Sequence, residues 1–171
     1  MKTDRVKYRK PPRSGPSGAR KRVVCRRANS PLTQAQVAML RRSFLRIEKQ
    51  SGIVALAFYR NLFTLAPQLR SLFQSDIELQ GCKFMEAVGF AIRSLKKPGE
   101  LTPMFKALGR RHTGYGAVGE HYPVVIEALL LTLQQSLGPE FTPRLARAWE
   151  RALIHIAEIM KSGAASAVAL S

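Results

Sequence analysis

The stretch "GRRHTGYGAVGEHYP", residues 109–123, spaces Gly114, Gly116 and Gly119 as G-x-G-x-x-G directly behind His112. Dinucleotide-binding loops share that spacing, because their glycines follow a β-strand, turn tightly and pass a pyrophosphate to the N-terminus of the next helix. The context here differs. The preceding residues, "PMFKALGRRH", contain no β-branched residue and set Met104, Leu108 and His112 at successive helical steps. The next helix signal waits for Pro123. Without a βαβ unit, the stretch reads as a helix that carries His112 and exits into a glycine loop, with Gly114 or Gly116 supplying a positive φ. A nucleotide site is set aside on that ground.

The flanking sequence is helical as well. Thr33 and Gln36 form a capping box ahead of Val37, Leu40, Phe44 and Ile47, which predicts a helix over 34–49. Residues 53–66, "IVALAFYRNLFTLA", predict a buried helix stopped by Pro67, followed by a short turn through Leu69, Leu72 and Phe73. Over 78–96, Gln80, Phe84, Val88, Ala91 and Leu95 share one face while Lys83, Glu86, Arg93 and Lys96 point elsewhere. Thr102-Pro103 and Thr142-Pro143 predict helix starts near 103 and 143. "YPVVIEALLLTLQQSL" fills 122–137, and Leu145, Ala148, Trp149, Ala152, Ile156 and Ile159 stripe a last helix. No alternating strand and no repeat is visible, so the class is all-α.

A chain of 171 residues, 46% hydrophobic and 23% charged, suffices for one well-filled core. Of its 28 lysines and arginines, 11 fall within the first 30 residues beside a single acid, Asp4, so the formal charge of +17 is largely a property of the N-terminal segment. Residues 1–31 are expected to be a basic disordered tail, 32–162 the folded domain and 163–171 a short flexible tail. The simple reading of the basic tail is a solvated one, and its functional reading is non-specific attraction to nucleic-acid phosphates. The tail lacks a secretory apolar centre, and its prolines and glycines oppose a transit helix. No segment is apolar enough to span a membrane, so a soluble cytoplasmic protein is expected. Cys25 and Cys82 make no disulfide framework, which suits a reducing compartment, and three separated histidines do not make a zinc site.

Periodicity alone leaves His112 open: a satisfied core histidine is the commoner case for one such residue on an apolar face. His121 reads as a surface residue in the loop before Pro123, and His155 as one flanking the core stripe of the last helix. Three segments in order, "FYRNLFTLAPQLRSLF", "QGCKFMEAV" and "LGRRHTGYGAVGEHYPVV", resemble the globins. The similarity is closest to bacterial single-domain globins and the haem domain of flavohaemoglobins, and runs from 32 to about 161.

The resemblance implies a three-over-three helical sandwich around haem b, with His112 as proximal ligand to the iron. It implies that Phe73 stacks on the porphyrin, that Phe84 presses over it, and that Val118, Tyr122 and Arg111 lie on the cofactor, Arg111 toward a propionate. Tyr59, expected on an inner face with Leu56 and Leu62, takes the distal tyrosine position. Gln80 takes the other distal position when Phe84 is brought into register, and Lys83 does so in an ungapped match. A pair of buried polar groups there is costly unless a polar gas partners them. The implied ligands are oxygen, nitric oxide or carbon monoxide, with tight oxygen binding and slow release, unsuited to a carrier. Nitric oxide dioxygenation with a separate reductase, and gas sensing, are the alternative roles. The glutamate that partners the proximal tyrosine in flavohaemoglobins has no counterpart that can be placed.

Overall fold

The computed structural model describes residues 31–73 and 76–168, so expectations about the basic segment and Cys25 lie outside the described residues. Six α-helices are described: α1 Gln34–Glu48, α2 Ser51–Leu65, α3 Ile77–Ser94, α4 Pro98–Gly114, α5 His121–Leu137 and α6 Pro143–Val168. Short 3-10 helices at Pro67–Leu72 and Gly138–Glu140 precede α3 and α6, and no strand occurs among the described residues. Helices α1, α3 and α4 form one layer over α2, α5 and α6, the three-over-three sandwich that the resemblance implies.

Local chemistry sets most boundaries. The Thr33 hydroxyl accepts from the Gln36 amide at 3.2 Å while the Gln36 side chain accepts from the Thr33 amide at 2.9 Å, closing the capping box of α1. Pro67 forces the residue before it out of the helical region, and Ala66, at φ −143° and ψ 77°, ends α2. Asp76 caps α3, its Oδ1 accepting from the Glu78 amide at 2.7 Å. Three expectations need correction. Helix α4 starts at Pro98 rather than near 103, because Pro98 occupies the favoured first position. Pro103 is carried inside the helix, where it and Gly99 are both exposed, so water can reach the carbonyl its missing N–H leaves free. Helix α6 runs past residue 162 to Val168, with Gly163 buried, where a flexible tail was expected. His121 is the half-buried first residue of α5, not a loop surface group, and its Nδ1 accepts from the Val118 amide at 3.3 Å.

The core is centred on Trp149, whose Nε1–H donates to Ser43 Oγ at 3.0 Å, while that hydroxyl donates to the Leu40 carbonyl at 2.9 Å. Asn61 Nδ2 donates to Thr132 Oγ1 at 2.9 Å and ties α2 to α5. A second apolar cluster joins Leu101, Phe105, Ile156 and Met160, with Leu108, Tyr122 and Ile159 at its edge. This second cluster fastens α4 to α6. Helices α3 and α4 meet near their connection, through Phe90 against Phe105 and Ser94 Oγ to Glu100 Oε2 at 3.4 Å. Away from it α3 turns to α2, where Gly81 faces Ala55, and α4 turns to α6, where Gly109 faces Met160.

Candidate functional site

His112 sits half-buried in the last turn of α4. Its Nδ1 lies 2.9 Å from the Leu108 carbonyl, and a carbonyl oxygen can only accept, so Nδ1 carries the proton. In the neutral ring Nε2 therefore keeps its lone pair, and no described residue binds it. Burial pushes the imidazole below the usual 6.5, and the Arg111 guanidinium pushes the same way, while the Leu108 bond opposes them. The result is a neutral, oriented base, the form in which histidine ligates a metal.

A second group is built on α2 and the corner after it. Tyr59 is 3% exposed, and its ring meets Phe58 at 5.1 Å, Phe73 at 5.4 Å, Phe63 at 5.8 Å and Phe84 at 6.2 Å. Phe58 and Phe84 stack at 4.0 Å between centroids, which locks α3 onto α2. In this apolar wall the Tyr59 hydroxyl has no hydrogen-bond partner among the described residues. Burial pushes its pKa up to about 12, so it is a neutral donor at ordinary pH. Leu56, expected beside it, is 48% exposed; the inner face of α2 is instead Val54, Ala55, Phe58, Tyr59 and Leu62.

Helix α3 brings Gln80 half-buried one turn before Phe84, on the face that meets Tyr59, while Lys83 is exposed. Arg111 is exposed beside His112, and Val118 is exposed in the following loop. Tyr122 is half-buried against the second cluster, its pKa raised by burial, with Lys161 Nζ 5.7 Å from its ring centroid. Gly116 takes the positive φ, 85°, and a Cβ there would lie 3.4 Å from Leu72 Cδ2. The loop after His112 thus closes on the corner that carries Phe73. Three contributors were not singled out from sequence: the Leu108 carbonyl, Phe58 and Phe63. Leu108 and Phe63 stood four residues from His112 and Tyr59, a helical step, whereas Phe58 stands next to Tyr59 and only the packing of α3 on α2 brings it in. No group of three or more histidine, cysteine or acidic side chains able to hold a bare metal ion occurs among the described residues.

A haem fits these residues on two observations. His112 offers a neutral nitrogen with a free lone pair, and the buried residue Tyr59 carries a hydroxyl that no described residue partners. The class so defined is an all-helical two-layer protein with a neutral imidazole whose Nε2 no described residue binds and an aromatic cluster around one tyrosine. The sequence matches the Globin family over residues 56–160, and the chain belongs to that family. It is 29% identical over 115 residues to a flavohemoprotein of Bacillus subtilis (strain 168), covering 66% of this chain and 29% of that protein. With a flavohemoprotein of Xylella fastidiosa (strain Temecula1) it shares 32% identity over 108 residues, 61% of this chain and 27% of that one. The chain therefore spans less than a third of these relatives. Among solved structures it is similar to an engineered carbene transferase, a variant of a putative nitric oxide dioxygenase from Rhodothermus marinus. There the TM-score is 0.74 at 29% identity, over 81% of this chain and 97% of the other. Globin membership and these relatives imply haem binding, and no helix among the described residues is long and apolar enough to cross a membrane.

Proposed function

We propose that the chain binds haem through His112 Nε2 and holds a polar diatomic gas against Tyr59 and Gln80. The haem iron, when bound, supplies an open coordination position for such a gas. His112 gives its Nε2 lone pair, and the Leu108 carbonyl holds the ring in the tautomer that makes this possible. The Tyr59 hydroxyl donates to the gas and thereby gains the partner it lacks within the protein. The Gln80 amide is the second donor, favoured over Lys83 by its half-buried place on the face of Phe84. Phe58, Phe73 and Phe84 keep water away, which strengthens both bonds. Val118, Tyr122 and Phe73 supply apolar contact to the porphyrin, and Arg111 a cation for a propionate.

The observation that carries this reading is the His112 Nδ1–H bond to Leu108, because it leaves only Nε2 to act. The test is haem titration of the apoprotein followed by carbon monoxide after reduction. Saturation at one haem per chain and formation of a carbon monoxide complex are expected; failure to retain haem would sink the reading. Nitric oxide dioxygenation is the second reading, favoured by the resemblance to a putative nitric oxide dioxygenase. It joins oxygen and nitric oxide into nitrate and takes one electron per cycle, so it requires a reductase, carried on a separate protein or on a further domain. Catalytic nitrate production with a supplied reductase would establish it, and a single stoichiometric turnover would exclude it.

A further inference from the structure

Helix α4 touches α6 with backbone on backbone at two reciprocal points. A methyl carbon placed on Gly109 would sit 2.7 Å from the Met160 carbonyl carbon and 2.8 Å from its Cα. A methyl carbon on Gly163 would sit 2.6 Å from Lys106 Cα and 2.7 Å from its carbonyl carbon. In each case the carbonyl oxygen is closer still, and what stands in the way is backbone, which cannot rotate aside as a side chain can. The contact is particular to these two positions: Gly99 on the same α4, like Gly52 and Gly114, has nothing within 4 Å of an added Cβ. A glycine hydrogen leaves room for the carbonyl of the opposite helix at each point, where a methyl group does not.

The peptide unit joining Leu108 to Gly109 serves two contacts. Its carbonyl accepts the His112 Nδ1–H at 2.9 Å, and its other end is the Gly109 Cα pressed on Met160. The Gly109 carbonyl in turn accepts from Thr113 Oγ1 at 3.3 Å, one residue beyond His112. Leu101, Phe105 and Met160 around the crossing are buried, so α4 has no slack to absorb a methyl in place. A side chain at 109 or 163 has to lift α4 from α6, and the acceptor that aims the imidazole moves with it. We propose that the Gly109–Gly163 crossing is the positioning device that sets the direction of His112 Nε2, resting on the reading of His112 as haem ligand. Gly109 and Gly163 are thus positioning residues that act through the Leu108 carbonyl.

The test uses the full chain loaded with haem. In Gly109→Ala, the iron–histidine stretching band of the reduced protein shifts, and transfer of haem to an acceptor protein is at least tenfold faster. Gly163→Ala, which meets the same crossing from α6, does the same and remains usable if the first variant folds poorly. Gly99→Ala leaves both quantities at wild-type values. In a His112→Gly background with free imidazole as the ligand, adding Gly109→Ala leaves the iron–imidazole band unchanged, because the ligand no longer rides on α4. A purely structural role would move that band in both backgrounds, and this outcome overturns the proposal. So does an unaltered band with unaltered haem loss in both alanine variants. Absence in the wild type of nuclear Overhauser contacts between the backbone protons of Gly109 and Met160 also overturns it, without any variant. If instead the wild-type band survives in His112→Ala, the functional reading has failed, and the crossing, still visible by those contacts, has lost only its role.

Discussion

Replacing Tyr59 by phenylalanine separates the gas-binding role of this residue from its packing role. The four rings around Tyr59 contact its ring, so phenylalanine keeps them. The hydroxyl has no protein partner to lose, and the stability of the apoprotein should hold within about 0.5 kcal/mol or rise. Against a gas that takes on negative charge when bound, the same hydroxyl is a charge-assisted donor contributing roughly 1.5 to 3 kcal/mol. At about 1.4 kcal/mol per factor of ten, that is roughly a 10- to 100-fold faster oxygen dissociation in the variant. The raised phenol pKa, about 12, keeps the donor protonated, so the difference should persist across the neutral and mildly alkaline range. Stopped-flow oxygen release from the reduced, haem-loaded protein gives the rate, and urea unfolding of the apoprotein gives the stability. An oxygen dissociation rate within twofold of wild type would mean that the Tyr59 hydroxyl does not donate to the bound gas. An apoprotein weakened by more than about 1 kcal/mol would mean that the hydroxyl is bonded within the protein.

Gln80→Leu should speed oxygen release by roughly 2- to 10-fold, the range for a neutral amide donor, whereas Lys83→Ala should leave it unchanged; the reverse order would move the distal assignment to Lys83. Ser43→Ala strands the indole N–H of the fully buried Trp149 and should cost about 1 to 3 kcal/mol in urea unfolding, with no change in gas release. The apoprotein should lose stability as the pH falls below 6.5. There the unfolded chain protonates His112 while burial keeps the folded ring neutral, so the unfolded state takes up the extra proton. His112→Leu should flatten that part of the stability profile; an unchanged slope would contradict the assigned burial effect.

Signals carried by neighbours in sequence were legible. The Thr33 and Gln36 capping box, the stop at Pro67 and the glycine exit after α4 all follow from residues within one helical turn, and the structure shows each of them. Helix α4 began elsewhere because Thr102-Pro103 and Pro98 are competing start signals, and a proline on an exposed face costs less than one in a buried turn. Leu56 was misplaced because a run as apolar as 53–66 has no polar face to fix its rotation; only the partners of α2 decide which side is inside. For the candidate site, His112 shares its part-buried stripe with Met104 and Leu108, yet the tautomer that leaves Nε2 open depends on the Leu108 carbonyl, a group every residue possesses and no composition marks. The aromatic wall around Tyr59 required α2, the corner and α3 to converge, and the Gly109–Gly163 crossing required two helices separated by the whole of α5.

The proposed function rests on binding of the haem iron by His112 Nε2. Resonance Raman spectroscopy of the reduced protein, grown with and without nitrogen-15 histidine, tests it most directly. The expected result is an iron–histidine stretching band that shifts with the label, disappears in His112→Ala and returns at a new position when imidazole is added to His112→Gly. A labelled band that persists in His112→Ala would contradict it.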